Sequence, residues 1–133
     1  MYVAVLGAGR LGRAVAQVCA VAGHDISLHG DEANVVMDGI DAIEGRLPDD
    51  TGAVDRLSGT TGLEAAVADA GVVVETATTG TATLQANFAE LEAFVDRETL
   101  VTLAADSGPV TAAAAGLRHP DRAIGLRFRD PLN

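Results

Sequence analysis

Residues 2 to 12 read Tyr2-Val3-Ala4-Val5-Leu6-Gly7-Ala8-Gly9-Arg10-Leu11-Gly12, and this stretch decides the fold. Tyr2 to Leu6 is an apolar run that does not alternate with polar residues, so it reads as a strand covered on both faces near the middle of a parallel sheet. Leu11, Val15, Val18 and Ala22 then recur at helical spacing, and Gly23 stands where a helix ends on a left-handed residue. Between them, the G-x-G-x-x-G spacing gives each glycine a separate task. Gly7 permits the tight turn off the strand, Gly9 lets an anion approach the backbone, and Gly12 lets the helix pack close to the sheet. The free N–H groups and positive dipole end of the helix suit a diphosphate lying over the turn.

Working outward, short hydrophobic runs alternate with segments of helical period. Ile26 to Leu28 reads as a second strand, followed by a weaker helix through Val36, Ile40 and Ile43. Gly45 to Thr61, rich in Gly, Pro, Asp and Thr, is expected to be loop with at most a short strand near Arg56 and Leu57. Leu63 to Ala70 reads as a short helix, Val72 to Glu75 as a buried strand, and Thr81 to Val95 as an amphipathic helix. Leu100 to Leu103, an alanine-rich helix over Val110 to Leu117, and a last strand over Ala123 to Phe128 complete the series. The pattern predicts one domain over residues 1–133: a Rossmann-type, doubly wound α/β fold with a mainly parallel sheet of about six strands in three layers, α/β/α.

Composition narrows the function classes. The chain of 133 residues carries 19 acidic against 9 basic residues, a formal charge of −10, and all the basic ones are arginine. Nucleic acid and anionic membrane are poor partners for such a surface. No apolar stretch approaches the ~20 residues of a membrane span, and the apolar start runs into glycines rather than a cleavage site, so a cytoplasmic protein is expected. Absence of lysine with an excess of aspartate also fits a protein kept soluble in concentrated salt, although GC-rich coding removes lysine too. Cys19 is the single cysteine. It excludes an intrachain disulfide or a cysteine-based metal site, and its apolar helix neighbours predict an inert thiol.

The turn sits in a βαβ unit of the length that dinucleotide sites need, which points to a dinucleotide cofactor. An acid at the end of the second strand should take the ribose hydroxyls, and Asp31 lies nineteen residues beyond Gly12. Gly30 tolerates a 2′-phosphate, but Asp31 would repel one and no arginine follows nearby, so NAD is favoured over NADP. Arg10 reads either as a phosphate contact or as a solvated first-turn residue. The cofactor-binding set expected is Gly7, Gly9, Arg10, Leu11, Gly12, Asp31 and Ala77, with no metal.

Gly-Ala-Gly-Arg-Leu-Gly at 7 to 12, Ala22-Gly23-His24-Asp25, Val73-Val74-Glu75 and Ile124-Gly125-Leu126-Arg127-Phe128-Arg129-Asp130-Pro131 together resemble the NAD-binding domain of the 3-hydroxyacyl-CoA dehydrogenase family. The resemblance runs over nearly the whole chain and is shortened in Gly45 to Thr61. It implies a base histidine at the end of the last strand, within a motif similar to His-Phe-Phe-Asn-Pro, and a following helical domain that these residues do not contain. Here the base position is Arg127, which does not deprotonate in a protein. Asp106, in Ala104-Ala105-Asp106-Ser107, falls where the family places a substrate-contacting serine, and Thr79 falls where it places a glutamate.

No catalytic residue is therefore carried over. Asp106, Arg127 and Asp130 are pocket candidates, with Arg127 either clamping a substrate carboxylate or pairing with Asp106 or Asp130. His24, His29 and His119 read as surface or turn residues. Three functions stand open: an NAD-dependent oxidoreductase domain acting on a small acyl or carboxylate substrate, a non-catalytic nucleotide-sensing module like the regulatory Rossmann domains of potassium transporters, or an assembly module with a vestigial site. A homodimer or a partner chain would cover the apolar helix surface such a small domain leaves over.

Overall fold

The computed structural model describes residues 1–47, 52–76, 81–104, 112 and 114–126. Its strands are β1 (Tyr2–Leu6), β2 (Asp25–His29), β3 (Leu57–Thr60), β4 (Val72–Glu75), β5 (Leu100–Ala104) and β6 (Ala123–Leu126), and its helices are α1 (Arg10–Val21), α2 (Ala33–Glu44), α3 (Leu63–Val67) and α4 (Thr81–Glu92). The strands form one sheet in the order β3-β2-β1-β4-β5-β6, and every neighbouring pair is parallel. Chain direction across the sheet reverses between β1 and β4. Open α/β sheets bind ligands at such a switch point, outside the carboxyl ends of the strands.

Side chains of successive strand residues point to opposite faces, and this splits the core in two. Val3 and Val5 pack with Val15, Ala16, Ile26, Leu28, Val36 and Ile43 on the α1/α2 face. Ala4 and Leu6 pack with Val67, Val73, Leu84, Phe88, Leu91 and Val101 on the other. Phe88 is fully buried, and burial of such a side chain contributes about 1.5–3 kcal/mol.

Helix α1 ends as its sequence predicts. Gly23 has φ +99, its amide donates to the Ala20 carbonyl, and the His24 amide donates to Cys19, the paired hydrogen bonds of a Schellman cap. Helix α4 is shorter than its periodicity suggests, because Ala93 and Phe94 donate to Glu90 and Leu91 and tighten the last turn to i→i+3 bonding. The alanine-rich helix is seen at Ala112 and Ala114, while residues 110, 111 and 113 lie outside the described residues, as do Arg127 and Phe128 of the expected last strand.

The region read as loop holds more order than expected. Ala53–Arg56 is a 3₁₀ turn, and Leu57–Thr60 pairs with β2 along its length as an edge strand. Its Leu-Ser-Gly-Thr sequence has no alternating apolar face, so the local pattern does not announce it. What fixes it is tertiary: Ser58 Oγ donates to the Ile26 carbonyl at 3.2 Å, and Gly59 is so close to α2 that an added Cβ would come within 2.6 Å of Val36.

Candidate functional site

The glycine turn connects β1 to α1 at the switch point. Gly7 has φ +114, a value that glycine adopts without strain, and its amide donates to the His29 carbonyl at 2.8 Å. Gly12 is the point of closest approach, because a Cβ there would sit 1.8 Å from the Gly7 carbonyl oxygen. Gly9 is different in kind. Its φ of −81 is open to any residue, and a Cβ built on it meets nothing within 4 Å. The space beside it is therefore free for an approaching ligand.

Among the described residues, the amides of Gly9, Arg10, Leu11 and Gly12 meet no protein acceptor, no side chain caps the helix, and its first turn carries no acid. Unpaired N–H groups at a helix start, with the dipole behind them, attract an anion. Two side chains hold this arrangement from outside the motif. Thr76, just past β4, donates its hydroxyl to the Leu6 carbonyl at 2.8 Å and its amide to the same oxygen at 2.9 Å. Arg13 donates Nε to the Ala8 carbonyl at 2.9 Å. Neither was expected from sequence; the cue for Thr76 is only its place at the end of the strand that neighbours β1.

A cleft of about 640 Å³ opens over the turn, lined among others by Gly7, Ala8, Asp31, Glu32, Glu75 and Glu90. Asp31 thus reaches the cavity although it stands two residues beyond the end of β2. His29 also lines it, with Nε2 3.2 Å from the Thr61 carbonyl oxygen, and ties β2 to the segment after β3. Gly9 and Arg10 line a second, smaller cavity on the α2 side of the turn. The structure therefore brings Gly7 and Asp31 together at the cleft, with Gly12 supporting the turn from beneath. Ala77, Asp106, Arg127 and Asp130 lie outside the described residues.

The other sequence cues resolve simply. Burial pushes the Cys19 thiol up, away from the reactive thiolate. Among the described residues no group of three or more His, Cys, Asp or Glu could hold a metal ion, and no helix is long and apolar enough to cross a membrane.

The family described as "3-hydroxyacyl-CoA dehydrogenase, NAD binding domain" matches residues 2–133. The chain belongs to this family. The 3-hydroxyadipyl-CoA dehydrogenase of Escherichia coli is 32% identical over 97% of the chain, and the 3-hydroxybutyryl-CoA dehydrogenase of Bradyrhizobium diazoefficiens is 31% identical over 98%. The chain spans 29% of the first relative's length and 48% of the second's. A solved 3-hydroxybutyryl-CoA dehydrogenase from Escherichia coli superposes with a TM-score of 0.87 at 29% identity, covering 99% of this chain and 30% of that one. This chain is thus an NAD-binding Rossmann domain of the 3-hydroxyacyl-CoA dehydrogenase family. The family's dinucleotide fits the turn described above, where Gly9 leaves open space and the first amides of α1 have no partner among the described residues.

Proposed function

We propose that the cleft holds NAD in preference to NADP, with Gly7, Gly9, Arg10, Leu11 and Gly12 at the diphosphate and Asp31 at the adenosine ribose. The observation that carries the preference is the charge of the lining: Asp31, Glu32, Glu75 and Glu90 line the cavity, and among the described residues no arginine does. A 2′-phosphate entering there would meet like charge without a cation to offset it. When bound, NAD supplies the acceptor for a hydride from a carbinol carbon. The chain's own part is to present amides to the diphosphate and carboxylates to the ribose hydroxyls.

The substrate class that the relatives' names suggest is a 3-hydroxyacyl-CoA, but the residues argue against ordinary turnover by this chain alone. Arg127 stands where the resemblance places the base, and loss of a general base costs about 10²- to 10⁴-fold in rate. Calorimetry with NADH and NADPH tests the cofactor reading: NADH should bind and NADPH should bind at least about tenfold more weakly. Equal affinities would remove the role given to Asp31. Following NADH formation with a short 3-hydroxyacyl-CoA tests the second part, and a rate equal to that of an ordinary family member would overturn the argument from Arg127.

A further inference from the structure

The glycine turn separates two cavities of opposite charge. On the α2 side lies a cavity of about 290 Å³ whose lining includes Arg10, Arg13 and Gln17 from α1 and Arg46 from just past α2, together with Gly9, Ala42 and Ile43. Arg10, Arg13 and Gln17 fall at i, i+3 and i+7, which places them on one face of the helix. Among the described residues no carboxylate lines this cavity.

The concentration is unexpected for this chain. Acids outnumber arginines 19 to 9, so an arginine has a surplus of carboxylates to pair with. Yet three of the nine share one small cavity, and the ion pair seen among the described residues is Arg122 with Glu92, elsewhere in the fold. Arg13 commits only Nε, to the Ala8 carbonyl, which leaves both terminal nitrogens for another acceptor. Cations gathered without a counter-charge repel one another, and a bound anion removes that cost. Guanidinium forks match the spaced oxygens of a phosphate. At about 30 Å³ per water, the space suits a hydrated phosphate group and is well short of what a dinucleotide needs.

We propose that this cavity is a second anion site, for a phosphate group that is free or carried as a monoester by a small molecule, separate from the diphosphate cradle. Gly9 and Arg10 border both this cavity and the cradle, whereas Arg13 and Arg46 line this cavity and not the cleft. Calorimetric titration of the whole chain with inorganic phosphate at constant ionic strength, with and without NADH, tests it. With NADH filling the cradle, phosphate should still bind at one site. Arg46→Ala should weaken phosphate about tenfold, the loss of one charge-assisted contact, and leave NADH affinity unchanged. Arg46 is exposed, so the substitution leaves the fold standing, and Arg46→Lys should recover part of the affinity. Glycerol 3-phosphate separates the sources: binding equal to inorganic phosphate supports a monoester, and weaker binding supports the free ion. Loss of all phosphate binding when NADH is present, affinity unchanged in Arg46→Ala, or no binding at millimolar phosphate would each overturn the proposal. The titration without NADH reads the site even if the chain binds no dinucleotide.

Discussion

At the carboxyl edge of the sheet, the turn between β1 and α1 leaves the amides of Gly9 to Gly12 without acceptors among the described residues. At the amino edge, around the starts of β5 and β6, polar groups are matched within the chain. The Glu92 carboxylate accepts from the amides of Arg118 and His119 and pairs with Arg122 at 3.5 Å, while Arg122 also donates to the carbonyls of Asp96 and Thr99. Shape therefore holds the first edge, where a ligand must enter, and charge holds the second. Substitutions should divide the same way. The largest effect is expected at Gly12, where shape alone is at stake: a Cβ 1.8 Å from the Gly7 oxygen forces α1 off β1. Gly12→Ala should cost about 3 kcal/mol or more, read as a fall in Tm, and a Tm near wild type would mean the turn yields more easily than its geometry says.

Gly9 is the converse case. A Cβ at Gly9 meets nothing within 4 Å, so Gly9→Val should keep stability within about 1 kcal/mol, the cost of a poorer N-cap residue. NADH affinity should fall by about a hundredfold as the side chain fills the approach to the amides and their charge-assisted hydrogen bonds are lost. Unfolding and calorimetry on one preparation check both halves. Retained affinity would place the dinucleotide away from the turn.

The amino edge should answer to pH instead. Burial alone would raise the Glu92 carboxyl, but the amides of Arg118 and His119 and the Arg122 guanidinium outweigh it and hold the carboxyl below its ordinary 4.5. A value lowered in the folded state stabilises fully above the unfolded value and is lost as pH falls through the folded one. Glu92→Gln should therefore cost about 1–2 kcal/mol at neutral pH. The gap from wild type should close below about pH 4.5, whereas a gap that stays constant down to pH 3 would show that the carboxylate charge is not what stabilises this edge.

The same contrast explains what the sequence discloses. Residues 2–12 announce the carboxyl edge because strand, glycines and helix are contiguous, and the tasks assigned to Gly7 and Gly12 match a φ of +114 and a backbone approach that admits no Cβ. The amino edge joins Glu92 to Arg122, thirty residues apart, and nothing local in either segment signals the pairing. β3 is signalled only as a short strand near Arg56 and Leu57 for a related reason: its order comes from β2 and α2, not from its own pattern. Thr76 and Arg13 act on the turn from outside the motif, so the motif does not name them.

The smallest expected effect sharpens the contrast within the carboxyl edge itself. Asp31 is exposed at the mouth of the cleft and makes no structural contact among the described residues, so Asp31→Asn should leave Tm unchanged. Removing one charge from a lining that keeps Glu32 should raise NADPH affinity while NADH loses a hydrogen bond to its ribose. The two changes together should move the NADH to NADPH preference by about tenfold. A preference that follows Glu32→Gln instead would shift the discriminating charge one residue along the chain, to the N-cap of α2. That result would keep the cleft acidic and selective, but it would make the helix start, not the strand end, the element that reads the ribose.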